Sequence, residues 1–307
     1  MRVCIFGTGG VGGYLGARLA EAGHDVHFIA RGDHLEAIRR DGLVLESVFG
    51  DVTVDPPATA DPAEVGPCDI VPFCVKAYDT VEAAAQLAPL VGAQTAVVSF
   101  QNGIDNERHL AAAIGEAHVA GGVARIFSTI ARPGVVAHTG GPASFTFGEL
   151  DGRESDRLAA FEAALEGCRG VDPTLTTDIH VELWRKLAFI CAQSGMTAAT
   201  GRPIGDIRSS SPTWSMYRRV VEEVVTVAGE KGIDLDADEA TALLEFAEGL
   251  DAEMRSSLAY DREHGNPLEI ETLCGAVTRH AEDAGVDVPM NEALYAVLAP
   301  DAGGRAR

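Results

Sequence analysis

Two stretches of the chain carry residues able to do chemistry. In GTGGVGGYLGARLAEAG, Gly7, Gly9 and Gly12 are spaced GxGxxG directly after an apolar run and at the start of a helical pattern. Gly7 permits a tight turn, Gly9 lets main-chain amides approach a pyrophosphate, and Gly12 lets the helix pack close to the strand. The main chain of Gly7, Thr8, Gly9, Gly10, Val11 and Gly12 would then face phosphates at the positive end of a helix. In HVELWRKLAFICAQSGMTA, Lys186 sits inside a segment that otherwise reads as buried helix. On a helix, Lys186, Ile190 and Gln193 share one face, and Leu183, Leu187 and Cys191 form the adjoining apolar stripe. An ammonium held there can polarise a carbonyl and give it a proton, and partial desolvation lowers its pKa towards the working range. The plainer alternative is a lysine whose stem lies on apolar neighbours while its head reaches water.

The choice of dinucleotide falls at the end of the second strand, HFIARGDH. An Asp or Glu there would accept hydrogen bonds from ribose hydroxyls, whereas a 2′-phosphate is better met by Arg. Arg31 occupies the position, a guanidinium can fork onto a phosphate, and no acid follows until Asp33. The expected cofactor is therefore NADP(H) rather than NAD(H). Lys76 ends the run DIVPFCVKAY and Asn102 ends TAVVSFQNG, which places both at carboxyl ends of parallel strands, where open α/β sheets bind ligands. Each also has a plain reading: a surface lysine after a strand, and the left-handed residue of an Asn-Gly turn.

These residues need elements to hold them. RVCIF, DVHFIA, DIVPFCVKA and TAVVSF alternate with helical patterns, which predicts a doubly wound, Rossmann-type parallel sheet over residues 1–174. VVAHTG and ASFTFGEL read as two short β segments closing that domain, with turns at RPG and TGGP. After about residue 175 the apolar residues recur at helical spacing, for example Leu243, Leu244, Ala247, Leu250, Met254 and Leu258, which predicts an all-helical domain over 175–307. The tail APDAGGRAR is expected to fray.

Totals bound the remaining possibilities. The 307 residues carry a formal charge of −22, which repels phosphodiester backbones and anionic lipid; neither a nucleic acid nor a membrane surface is an expected partner. The acids of VVEEVVTVAGEKG and DADEATALLEFAEGLDAE read as solvated helix faces, and so much acid beside three lysines suggests a high-salt cytoplasm. Six cysteines without a CxxC pair fit a reducing, cytoplasmic setting. The chain opens on a strand pattern rather than a signal peptide, and no run reaches ~18 consecutive apolar residues. No HExxH, HxxxH or GxSxG spacing points to a metal or a nucleophile elbow, and His138 and His180 are isolated.

GTGGVGGYLGARLAEAGHDV with Arg31, VKAY around Lys76, QNG around Asn102, ELWRKL around Lys186 and LEIETL around Glu269 together resemble the ketopantoate reductases (2-dehydropantoate 2-reductases) over nearly the whole chain. The resemblance implies a Rossmann domain followed by a helical domain with the active site in the cleft between, and hydride transfer from NADPH to the carbonyl carbon of a 2-oxo acid. It makes Lys186 the general acid, places Glu269 near the substrate hydroxyl and the cofactor, and has Asn102 orient carbonyl and cofactor. Ser257 would contact substrate, and Lys76 would line the cofactor site. Without the resemblance, Glu269 and Glu271 look alike. The chain departs from the family where asparagines would meet the polar groups of ketopantoate: it has Ile190, Ser194, Ile204 and Met254. Lost amides weaken discrimination for a substrate hydroxyl, so a less polar 2-oxo acid is the alternative substrate, unless Gln193 or Ser256 replaces the lost donors. A dinucleotide-binding redox sensor without catalysis is the alternative from another class, and the helical domain offers apolar faces for a homodimer.

Overall fold

Apolar runs that carry side chains to both faces become the inner strands of a mixed sheet. In this computed structural model, which describes residues 1–304, the strands are β1 Arg2–Phe6, β2 Asp25–Ile29, β3 Leu43–Ser47, β4 Val52–Val54, β5 Ala58–Thr59, β6 Cys68–Phe73, β7 Val91–Ser99, β8 Val119–Arg132, β9 Val135–Glu149 and β10 Asp172–Leu175. They form one ten-stranded sheet in the order β4-β3-β9-β8-β7-β6-β1-β2-β5, with β10 beside β9. Among the described residues only β3–β4 and β8–β9 pair antiparallel. Helices α1 Gly10–Glu21, α2 Gly32–Asp41, α3 Thr80–Ala84, α4 Asn106–Ile114 and α5 Asp156–Glu166 accompany the sheet.

β1 shows why Val3 to Phe6 form an unbroken apolar run. Val3 and Ile5 pack with Tyr14, Leu15 and Leu19 of α1, while Cys4 and Phe6 pack with Phe73, Ala83, Ala84 and Leu110. A strand covered on both faces has no polar side to show. Complete burial of a side chain such as Leu15 contributes about 1.5–3 kcal/mol. The register matters for function: Phe6 lies opposite both Ile29 and Phe73, and Phe73 opposite Ser99. The carboxyl ends of β1, β2, β6 and β7 are therefore level, and the segments that leave them emerge along one edge.

The second unit is helical. It comprises α6 Ile179–Thr200, α7 Ile204–Ser209, α8 Ser211–Glu230, α9 Ala237–Glu248, α10 Ser257–His264, α11 Cys274–Ala284 and α12 Pro289–Leu298. Leu187, Ala188 and Cys191 of α6 pack with Val220, Val221 and Val224 of α8 and with Ile270, Cys274 and Val277. No helix among the described residues is long and apolar enough to cross a membrane. The chain divides into residues 1–101 with 106–179, and 102–105 with 180 onward, so four residues after β7 belong with the helices.

Several expectations need correction. VVAHTG and ASFTFGEL are one strand, β9, whose partner β8 the sequence did not announce; TGGP is an irregular stretch inside it, whereas RPG does make the hairpin turn. A fifteen-residue strand survives two adjacent glycines because the β8 ladder supplies main-chain partners on both sides of the irregularity. The tail does not fray over 299–304: Ala299–Asp301 forms a 3₁₀ turn, Arg262 Nε donates to Asp301 Oδ2 at 2.9 Å, and Leu268 N–H donates to Ala302 O. Residues 305–307 of that expectation lie outside the described residues. Two acids placed on solvated faces have structural work. Glu223 accepts from the Met290 and Asn291 amides at the start of α12, and Glu239 takes a bidentate pair from Arg185 at 2.8 and 2.9 Å.

Candidate active site

The glycine loop is stapled to the end of β2. Gly7 N–H, Thr8 N–H and Thr8 Oγ1 all donate to Ile29 O, at 3.2, 3.1 and 3.0 Å. Gly7 has φ +101°, which an L side chain rarely adopts. A Cβ on Gly12 would lie 2.2 Å from Gly7 O, so only glycine lets α1 start this close to the loop. Gly9, by contrast, faces open space: a Cβ there would meet nothing within 4 Å. It is the N-cap of α1, no side chain caps it, and no acid occupies the first turn. The first-turn amides of a helix lack intrahelical partners and its N-terminus carries partial positive charge. Uncapped amides beside an N-cap residue with open space at its Cβ position fit the pyrophosphate of a dinucleotide.

Arg31, two residues past β2, is exposed and its Nη2 donates to Asp79 Oδ2 at 2.8 Å. An acid does stand beside this guanidinium, contributed from 48 residues further along the chain rather than by Asp33. Asp79 lies at the end of the segment that follows β6. That segment is held by Gln101, whose Nε2 donates to Val75 O at 3.0 Å and to Thr80 Oγ1 at 2.7 Å, and by Thr80 Oγ1 donating to Ala77 O. Lys76 in the same segment is exposed. Asp79 and Gln101 are functional candidates that no local spacing announces, since their neighbours come from other strands.

In the helical unit, Lys186 lies half-buried on α6, while Leu183, Leu187 and Cys191 are buried. Its neighbour Arg185 is occupied by Glu239 and Glu182. Asn102 is not the left-handed residue of its turn; Gly103 is, with φ +105°. Freed from that duty, Asn102 donates from Nδ2 to Glu269 Oε2 at 3.3 Å. The loop is anchored by Ile104, which packs on the helical core, and by Asp105, which takes His280 Nε2 at 3.0 Å and pairs with Arg279. Burial separates the two glutamates that sequence left alike. Glu269, in a 3₁₀ turn over Glu269–Thr272, is 7% exposed; Glu271 is exposed and accepts from Tyr295 Oη at 2.7 Å.

Of the positions where asparagines were lacking, Ile204 is fully buried core, and Ile190 and Met254 are partly buried against that core. Gln193 is 5% exposed; its Oε1 faces Tyr217 Oη at 3.5 Å and its Nε2 has no hydrogen-bond partner. Thr197, one turn further on, shares a 2.8 Å hydrogen bond with Ser256, which also caps α10. Ser257 is the exposed first residue of α10. His180 is exposed at the start of α6. His138 is buried in the sheet unit, its Nδ1 2.9 Å from Ser47 Oγ and its ring edge-on to Tyr14, and burial together with the nearby Arg18 charge holds its pKa below the usual imidazole value.

A mostly parallel sheet with a glycine-rich loop at its carboxyl edge, joined to a helical unit carrying a half-buried lysine and a half-buried asparagine on a buried glutamate, defines a dinucleotide-binding oxidoreductase. Residues 3–152 match the family described as Ketopantoate reductase PanE/ApbA, and residues 178–301 its C-terminal part. The chain belongs to the ketopantoate reductase family, whose members reduce 2-oxo acids. It is 32% identical over 293 residues to 2-dehydropantoate 2-reductase of Archaeoglobus fulgidus, covering 95% of each chain. It is 30% identical over 298 residues to the uncharacterized oxidoreductase YkpB of Bacillus subtilis, covering 97% of this chain and 98% of that one. Among solved structures, 2-dehydropantoate 2-reductase from Geobacter metallireducens matches with a TM-score of 0.92 at 31% identity, over 98% of this chain and 99% of that one.

Proposed function

We propose that the protein reduces a 2-oxo acid to the 2-hydroxy acid with NADPH, with 2-dehydropantoate as the first substrate to test. The Asn102–Glu269 contact carries this reading, because it sets an amide donor beside a buried carboxylate acceptor, the two kinds of group that can address a carbonyl and a hydroxyl. The main chain of Gly7 to Gly12, with Arg31 and Lys76, would hold the dinucleotide, which when bound supplies a hydride. Lys186 would donate the proton that the carbonyl oxygen gains on reduction, so that the product carries a neutral hydroxyl beside its carboxylate. Asn102 donates towards the carbonyl, and Glu269 orients Asn102 and accepts from a substrate hydroxyl. Oxidation of NADPH with 2-dehydropantoate, repeated with Lys186→Ala, tests the assignment: turnover in the native protein and its loss in the variant support it, and equal rates overturn it.

A less polar 2-oxo acid is the second reading. Ile190 and Met254 favour it, since apolar side chains offer no hydrogen bond to a substrate hydroxyl. A panel of 2-oxo acids with and without a 4-hydroxyl separates the two by their kcat/KM ratio.

A further inference from the structure

The geometry points to Asp79 as a specificity-determining residue of the dinucleotide site: an anion set against Arg31 that a 2′-phosphate must displace and that a ribose 2′-hydroxyl can use. The inference rests on the proposed role of the glycine loop and Arg31. Asp79 Oδ2 lies 2.8 Å from Arg31 Nη2, with side chains 32% and 71% exposed, so a ligand can reach the pair. Asp79 is the N-cap of α3, yet its side chain makes no cap hydrogen bond, which leaves Arg31 as its charged partner among the described residues. Its position is fixed from behind by Gln101 and Thr80, so it cannot simply withdraw with the segment it sits on.

A carboxylate accepts hydrogen bonds and cannot donate one. A 2′-hydroxyl can donate to Asp79 while Arg31 keeps its partner. A 2′-phosphate brings a second anion to the same guanidinium and is repelled by the first. Arg31 alone would favour the phosphorylated dinucleotide strongly; with Asp79 present, the preference is reduced to a modest one. The exposed geometry also makes the effect sensitive to salt, because charges in solvent are screened within about 10 Å at 0.1 M ionic strength.

The test uses calorimetric binding of two fragments, 2′,5′-ADP and 5′-AMP, to the native protein and to Asp79→Asn at low and high salt. The expected result is that the variant binds 2′,5′-ADP about tenfold more tightly relative to 5′-AMP than the native protein does, with the gain shrinking as salt rises. An unchanged ratio in a variant of native melting temperature overturns the role of Asp79 and leaves the dinucleotide assignment standing. Should the variant melt early, Asp79→Ser is measured in its place and judged by the same ratio. If neither fragment, nor NADPH, nor NADH binds the native protein, the dinucleotide reading itself fails and the inference falls with it.

Discussion

The two units build their candidate sites from different material. The sheet unit presents main chain: uncapped amides at the start of α1, an open approach at Gly9, and glycines where a Cβ would strike backbone. The helical unit presents side chains: Lys186 on α6, Asn102 on a four-residue loop, Glu269 in a 3₁₀ turn and an unpaired amide on Gln193. Main-chain donors are present whatever the side chains are, so such a site is generic and is destroyed by added bulk. Side-chain groups are individually replaceable, so such a site is where chemistry and substrate choice are set.

The largest expected effect sharpens that contrast. Lys186→Ala should lower kcat by about 10²–10⁴-fold while leaving the affinity for 2′,5′-ADP unchanged, checked by steady-state rates beside calorimetry. Gly12→Ala should do the reverse kind of damage. Its Cβ would sit 2.2 Å from a carbonyl oxygen that belongs to the loop itself, so stability should fall by about 1–3 kcal/mol and dinucleotide affinity with it, read by urea unfolding and titration. Native-like binding in that variant would break the comparison.

A smaller effect is expected at Gln193. A buried donor left unpaired costs about 1–3 kcal/mol, but Gln193→Met also takes the long Oε1 contact from the Tyr217 hydroxyl, so the melting temperature should stay nearly unchanged. If the amide meets the substrate, KM for a hydroxylated 2-oxo acid rises about tenfold with kcat nearly constant; a variant that melts early and keeps its KM makes Gln193 a packing residue.

The smallest effect belongs to the sheet unit and to pH. His34, whose Nδ1 accepts from Gly134 N–H at 3.0 Å, and His138 both have pKa values pushed down by burial. The unfolded chain binds a proton near pH 6.5 and the folded unit only at lower pH, so the unfolded state holds more protons in that window. The stabilisation is complete above about pH 6.5 and is lost as pH falls through the folded values. Melting temperature at pH 7.5 should exceed that at pH 5.5, and the difference should narrow in His138→Gln.

Legibility in the sequence followed the range of the interactions involved. β1, β2, β6 and β7 were readable because each carries a short apolar run, such as Val3–Phe6, Ile70–Phe73 and Ala96–Val98, that strands covered on both faces require. β8 was missed and β9 cut in two because Gly121, Gly122, Gly140 and Gly141 look like breaks, and only the antiparallel ladder between the strands shows that they are not. Glu269 and Glu271 were alike until burial and the Asn102 contact told them apart.

The sequence by itself determined the glycine loop, the helical face bearing Lys186 and the order of sheet and helices, because turn geometry and side-chain periodicity act over a few residues. Tertiary structure alone decided that residues 102–105 belong with the helices, that Asp79 stands against Arg31, and that Gln193 is buried with a donor to spare. Those facts depend on which distant segments are packed together, and desolvation and charge pairing act through space rather than along the chain.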